Sequence, residues 1–375
     1  MNTVKILHTA DLHLGSYRTG IKSGKSEIEN TFVRIINLCK TEKVDFLLIA
    51  GDLFESPFVS AEDASRIISA IGQIPDTIVA ISPGNHDYVC PGSVYLKYKF
   101  PDNTIIFSSF MEYADFPEKG VRLWGAGFTD RFENFALLKK PDDLDPQMIN
   151  LCVLHGETVT DGSSSQYNPV TPSAVENSGF DYIALGHIHK RSDIYKLGKT
   201  RFAYSGCPDG TGFDEPGEQG VYLGTISQSS CEIEYFPTSS RQYVIESIDI
   251  SSCANSVDAA GIVKDHISNK FGNSFNNNLY RISLTGSIAP DTSISAAQVQ
   301  TLLLNNLNYI EVLDKTDSDI SQLETLKNEN SLRGIFVRKM IEKINSAPEE
   351  EIQIYKNALK TGLRAFGKGV KLDDN

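Results

Sequence analysis

The sequence predicts an α/β fold with a smaller α+β unit behind it. Short β-branched apolar runs alternate with helical patterns from residue 4 to about 240, and each run stops at a polar turn. The runs are VKILHTA (4–10), FLLIAGD (46–52), TIVAISPG (77–84), VRLWGAGF (121–128), INLCVLHG (149–156) and YIALGHIH (182–189), and each reads as a buried strand. Between the first two, Ile28, Phe32, Ile35, Ile36 and Cys39 recur at helical spacing. Before the third, Ser60 and Asp63 resemble a capping box that opens a helix running to about Ile71, where Gly72 ends it. Residues 157–174, rich in Ser, Gly, Asn and Pro, predict a long surface loop. A loop of that length beside a candidate site is more often functional or mobile than inert.

The character changes after the first 240 residues. RQYVIESIDI, a helical stretch near 255–270, LYRISLTG, a helix near 295–306 and YIEVLDKT form a β-α-β-α-β series, enough for a separate small α+β domain over 241–316. Residues 317–331 are polar and read as a linker. Residues 332–375 then carry two amphipathic helices, the first with Leu332, Ile335, Phe336, Met340, Ile341 and Ile344, the second with Ile352, Tyr355, Leu359, Leu363 and Phe366. The closing GKGVKLDDN reads as a frayed tail.

Composition narrows the function classes. At 375 residues and 40% hydrophobic content the chain exceeds one small core. No apolar run approaches the roughly 20 residues of a membrane span, and the start goes straight into a strand pattern, so a cytoplasmic location is expected. The six cysteines are scattered without a C-x-x-C pair, which points to free thiols. A net charge of -13 argues against coating nucleic acid through a broad basic surface. It leaves room for a phosphate substrate, because a pair of divalent cations would place about four positive charges at one point.

Five of the seven histidines fall in short motifs at the ends of apolar runs: ADLHLG with His13, GNHD with His86, LHGE with His155, and GHIH with His187 and His189. Ligands of open α/β sheets bind at the carboxyl ends of strands, so these ends can converge on one crevice. In an extended chain Asp11 and His13 point to the same side and can grip one ion, and His187 and His189 repeat the arrangement. Asp52 closes its run as a carboxylate able to bridge two ions. Gly84 permits a tight turn that pushes the Asn85 amide oxygen and the His86 ring into the cleft. The candidate metal ligands are therefore Asp11, His13, Asp52, Asn85, His155, His187 and His189. Mixed imidazole and carboxylate donors suit Mn²⁺, Fe or Zn²⁺ rather than Ca²⁺ or a bare Mg²⁺ site. Two such ions roughly 3.5–4 Å apart clamp the attacking and departing oxygens of a phosphoryl displacement. A lone histidine at a strand end is more often a surface or core residue, which is the reading for His266 and for His8, whose strand parity is opposite to that of Asp11 and His13.

The ordered set D-x-H, G-D, G-N-H-D, H-G and G-H-x-H resembles the calcineurin-like metallophosphoesterase superfamily over residues 4 to about 190. The finer stretches HTADLHLG (8–15), GDLFE (51–55), ALGHIHK (184–190) and YSGCPDGTGFDEPGEQG (204–220) are similar to the SbcD-type DNA double-strand-break repair nucleases and their bacterial YhaO-like relatives. The resemblance implies a four-layer core of two packed sheets flanked by helices, then a capping domain and a helical segment that docks on the coiled coil of an SMC-like ATPase of the SbcC or YhaN kind. It implies two divalent ions, most often Mn²⁺, one held by Asp11, His13 and His189, the other by Asn85, His155 and His187, with Asp52 between them. It further implies that His86 positions the phosphodiester and protonates the leaving oxygen, that Asp87 orients its imidazole, and that the protein forms a homodimer. Two positions depart from the pattern: Glu55, where some members carry histidine, and Cys207, where serine is usual.

The leading expectation is a Mn²⁺-dependent DNA nuclease, exonuclease or endonuclease, that acts on ends or single-stranded segments with an ATPase partner. The alternative is a phosphoesterase for a small phosphodiester or phosphomonoester such as a cyclic nucleotide, which the acidic charge favours. Against it, the G-D motif continues as LFE rather than in the N-x-D-R-G style of protein phosphatases. A scaffold subunit without catalysis is a third class, opposed by a ligand set that lacks no member. Arg18, Lys22, Lys25 and Arg131 read equally well as solvated surface.

Overall fold

In the computed structural model, which describes residues 2–16, 24–289, 292, 294–318 and 320–368, the chain divides into two compact units, 1–242 and 243–375. Arg18, Lys22, the side chain of Lys25 and the tail from 369 onward lie outside the described residues.

The first unit holds two six-stranded sheets. In one, Val4–Thr9, Phe46–Ile49, Ile78–Ile81 and Thr104–Ile106 run parallel, and Gly220–Ile226 with Cys231–Pro237 extend the sheet antiparallel beyond the first of them. In the other, Val121–Gly125, Ile149–His155, Tyr182–Gly186 and Thr200–Tyr204 are parallel, with antiparallel edges at Glu112–Phe116 and Tyr195–Leu197. The two-residue period of a strand explains the layers. Leu7, Leu47, Ile49, Val79 and Ile81 face helices Gly24–Glu42 and Ala61–Ile71, where they meet Ile28, Phe32, Ile35, Ile36, Ala64 and Ile67. The alternate residues Ile6, Phe46, Leu48 and Ala80 pack on Leu123, Leu151, Val153 and Ala184 of the second sheet. That sheet turns Trp124, Cys152, Leu154, Ile183 and Leu185 toward Val175 of helix Pro172–Ser178 and Phe180. The result is two mixed sheets packed face to face with helices outside. Ser60 caps the second helix, its hydroxyl accepting from the Asp63 N–H.

His8 obeys the parity argument. It lies wholly buried between the sheets, with Nδ1 2.9 Å from the Tyr182 hydroxyl and Nε2 3.1 Å from the Leu185 carbonyl. Burial pulls its pKa down to about 3, against the opposing pull of that carbonyl. The unfolded chain binds a proton near pH 6.5 that the folded chain refuses, so stability is lost as pH falls from 6.5 toward 3. Urea unfolding at pH 6 and pH 5 should show the parent losing stability more steeply than a His8→Gln variant, by about 1.4 kcal/mol per pH unit. Equal slopes would contradict this account of His8.

The predicted loop at 157–174 is partly ordered: Glu157–Thr158 pairs with Pro169–Val170, and helix Pro172–Ser178 follows, capped by Thr171. Its backbone returns to the sheet it left.

In the second unit, Tyr243–Asp249, Leu279–Thr285 and Tyr309–Asp314 form a parallel sheet, with helices Ser256–Phe271 and Ala296–Leu304 as the crossovers. The expected linker at 317–331 is corrected. Strand Asp317–Ser318 pairs with Ser287–Ile288, and helix Ile320–Lys327 follows. Leu323 and Leu326 of that helix pack with Val337, Leu359 and Leu363 of helices Leu332–Ser346 and Glu349–Lys368. Two apolar side chains in a polar segment are a weak periodic signal, and tertiary packing supplies most of a short helix's stability. The terminal helices thus fall in the same compact unit as the three-stranded sheet. No helix among the described residues is long and apolar enough to cross a membrane.

Candidate metal centre

The proposed ligands lie at or just beyond the carboxyl ends of five parallel strands drawn from both sheets: Val4–Thr9, Phe46–Ile49, Ile78–Ile81, Ile149–His155 and Tyr182–Gly186. Asp11, His13 and His189 bring ligand atoms within 4.8 Å of one another, and Asp11, Asp52 and His155 do the same. Asn85 Oδ1 lies 2.9 Å from His155 Nε2 and 3.2 Å from His187 Nδ1. Asp52 Oδ2 stands between the groups, 3.4 Å from His155 Nε2 and 3.8 Å from His13 Nε2. All seven candidates therefore meet at one place.

The reason they meet differs from strand alternation. The first strand ends at Thr9, and both Asp11 (φ 51°) and His13 (φ 47°) adopt left-handed backbone, as do Asp52 (φ 49°) and His187 (φ 101°). Of the six non-glycine residues with positive φ among those described, four are ligand candidates. Such conformations cost about 1–3 kcal/mol each and persist where the surroundings over-determine them. The surroundings here are two loops hydrogen-bonded side by side. The Asp11 N–H donates to the Gly51 carbonyl (3.0 Å), that of His13 to Asp52 (2.9 Å) and that of Leu14 to Leu53 (2.9 Å). The Asp11 carboxylate in turn accepts from the His187 N–H at 3.1 Å.

Two glycines make room for the ligands. A Cβ on Gly84 would lie 2.3 Å from Asp52 Oδ1, and one on Gly51, at φ 92°, would lie 2.1 Å from His155 Nδ1. Close approach, rather than an unusual φ, is what Gly84 supplies.

The donor set fits divalent cations. The His189 Nδ1–H donates to Glu215, His13 Nδ1 lies 2.9 Å from Glu55 Oε2, and the His155 Nδ1–H donates to the Ala50 carbonyl at 2.9 Å. The Ala50 carbonyl and the Glu215 carboxylate hold the Nδ1 side of His155 and His189, which turns their Nε2 toward the centre. His13 Nε2 and His189 Nε2 face each other at 3.2 Å, so that both can turn a lone pair on one cation when its binding displaces their protons. Burial pushes the carboxyls of Asp11 and Asp52 up, with the neighbouring imidazoles opposing it. Positive charge at the centre is what two such buried carboxylates require. Burial, with His155 nearby, drives His187 down to about 3, which keeps it neutral and able to ligate. Burial also presses His189 down, but the carboxylates of Glu215 and Asp11 outweigh it and raise it to about 9 in the absence of a cation.

His86 stands at the solvent side with its imidazole 35% exposed. Its backbone N–H donates to Asp52 Oδ1 at 2.9 Å, and its Nδ1 lies 3.3 Å from the Glu55 carbonyl and 3.5 Å from Glu55 Oε1. The Glu55 contact outweighs burial and raises the imidazole to about 9, while His13 and His86 together hold Glu55 down at about 2 against burial. The expectation that Asp87 orients His86 is corrected. Asp87 is fully buried and accepts from the N–H groups of Gly84 (2.7 Å) and Phe54 (3.2 Å) and from the Tyr95 hydroxyl (2.5 Å). It braces the turn that carries Asn85 and His86, and Glu55 orients the ring. Adjacent residues on a tight turn point apart, which the linear motif conceals.

Sequence reasoning also missed Glu215 and Asn168. Glu215 secures Thr211 through its N–H (2.6 Å) and hydroxyl (3.0 Å) besides orienting His189. Asn168, at φ 46°, donates to the His155 carbonyl (2.7 Å) and accepts from the Leu137 N–H (2.7 Å), tying the end of a central strand to two loops. A Glu215→Gln variant should bind Mn²⁺ about 10–100-fold more weakly, as measured by titration calorimetry, because the carboxylate that raises the basicity of His189 is gone. Unchanged affinity would remove Glu215 from this role.

A family model described as calcineurin-like phosphoesterase matches residues 4–191. The chain is 28% identical over 284 residues to the uncharacterized metallophosphoesterase YhaO of Bacillus subtilis (strain 168), covering 72% of this chain and 68% of that protein. That share amounts to about 270 of 375 residues, more than the 242 of the first unit, so the likeness reaches into the second. Among solved structures, the TT1561 protein of Thermus thermophilus aligns at 11% identity and a TM-score of 0.41, covering 63% of this chain and 99% of that one. Purple acid phosphatase PPD1 of yellow lupin aligns at 14% and 0.38, covering 63% and 52%.

Proposed function

Because this chain belongs to the calcineurin-like phosphoesterase family and is therefore a phosphoester hydrolase with a dinuclear metal site, we propose that it is a Mn²⁺-dependent DNA nuclease that works with an SMC-like coiled-coil ATPase. The observation that carries the reading is the placing of His86 beside the ligand cluster, its Nδ1 held by Glu55 and its ring open to solvent. The leaving group of an alkyl phosphodiester such as DNA is an alkoxide, a poor leaving group that needs a proton. An aryl or anhydride ester would not need one.

Asp11, His13 and His189 would hold one divalent cation and Asn85, His155 and His187 another, with Asp52 between, and the pair would supply Lewis acidity and a water of lowered pKa. The remaining work falls to the chain itself. Glu55 fixes the His86 ring and favours its charged form, Asp87 holds the turn beneath it, and the His86 imidazolium binds the phosphodiester and gives its proton to the departing oxygen. Similarity of HTADLHLG, GDLFE and ALGHIHK to SbcD-type and YhaO-like proteins supports DNA as the substrate. Leu332 (72% exposed) and Ile354 (64% exposed) of the terminal helices support docking on a coiled coil.

The test is digestion of linear DNA with Mn²⁺, with Mg²⁺ and with chelator, adding or omitting a co-purified coiled-coil ATPase. Mn²⁺-dependent digestion is expected. A chain that cleaves cyclic nucleotides but no DNA, with or without the partner, overturns the reading in favour of a small phosphodiester.

A further inference from the structure

A series of aromatic rings leads from the surface of the first unit to the metal centre. Phe132, 44% exposed, lies 5.9 Å from Tyr167, and Tyr167 lies 4.6 Å from His187 with the rings 33° apart, close to stacked. His187 in turn meets His155 at 5.2 Å. The outer members sit on a fixed scaffold. The Glu133 N–H donates to the Gln166 carbonyl (2.8 Å) and the Asn168 N–H to the Glu133 carbonyl (2.6 Å), so the segments after Phe128 and before Pro169 are clamped together. Asn168 ties that clamp to the His155 carbonyl at 2.7 Å. Arg131, exposed at the outer end, has its guanidinium 5.9 Å from the Phe132 ring.

Core packing does not account for an exposed Phe132 ring held against a half-buried tyrosine, since its outer face gains nothing from water. A flat apolar face next to a phosphate-cleaving centre, with a cation at its far end, matches the needs of a nucleobase whose own phosphate reaches the centre. Paired bases inside a duplex hide their faces against one another. We propose that Phe132, backed by Tyr167, binds an unpaired base of the substrate by stacking and so fixes the adjoining phosphate at the centre. Arg131 meets the adjacent backbone phosphate. This rests on the nuclease reading and adds the residues that hold the base.

The experiment measures kcat and KM with Mn²⁺ on two single-stranded oligonucleotides of equal length, one of thymidines and one of abasic residues, for the parent, Phe132→Ala, Tyr167→Ala and Tyr167→Phe. Bis(4-nitrophenyl) phosphate hydrolysis and metal content report folding. Loss of stacking should raise KM on the thymidine strand. The ratio of parent to alanine-variant kcat/KM should be about 5–100-fold larger there than on the abasic strand, and Tyr167→Phe should restore it. Equal losses on the two strands, or no loss on either, would overturn the stacking role while leaving the nuclease reading intact. A parent that hydrolyses the aryl ester but neither oligonucleotide would overturn both.

Discussion

Replacing Asp52 by asparagine should lower phosphodiester hydrolysis by about 10³-fold and remove at least one of the two bound ions. Oδ2 of this residue lies between the two ligand groups, within 3.8 Å of an imidazole nitrogen from each. Asparagine keeps the shape and the hydrogen bond to the His86 N–H but removes the charge that a second cation needs. Losing the several kcal/mol of transition-state stabilisation that a paired site provides corresponds to about three orders of magnitude. Elemental analysis alongside kcat on bis(4-nitrophenyl) phosphate checks both effects. Two ions per chain with the parental rate would show that Asp52 does not bridge.

A His86→Asn variant should separate proton donation from metal binding. The Nδ1 of His86 is engaged by Glu55, which leaves Nε2 to serve the substrate. A general acid contributes about 10²–10⁴-fold when the leaving group is basic. The variant should therefore lose about that factor on a dinucleotide diester and less than about 10-fold on a 4-nitrophenyl ester, whose leaving group departs without a proton. Metal content should stay at the parental level. Equal losses on both esters would assign His86 to phosphate binding alone.

Much of this centre is legible in the sequence. Six apolar runs mark strands because both faces of their sheets are covered, and the histidine motifs at their ends name side chains that the fold brings together. Other features leave no such trace. Nothing in ADLHLG says that Asp11 and His13 take left-handed backbone, since neither is a glycine, so strand alternation brings these two side chains together for an incomplete reason. Asp87 looks like the partner of His86 because it is next in the chain, whereas Glu55, 31 residues away, holds the ring. Glu215 is hidden among Asp209, Asp214 and Glu218, in a loop with no period to single it out. Helix Ile320–Lys327 escapes a reading of its own residues because its stability comes from Val337, Leu359 and Leu363.

The most direct test of the paired centre is anomalous X-ray scattering from crystals of the Mn²⁺-loaded protein. The account predicts two peaks about 3.5–4 Å apart, one against Asp11, His13 and His189, the other against Asn85, His155 and His187, with Asp52 touching both. A single peak, or a pair away from these side chains, would contradict it.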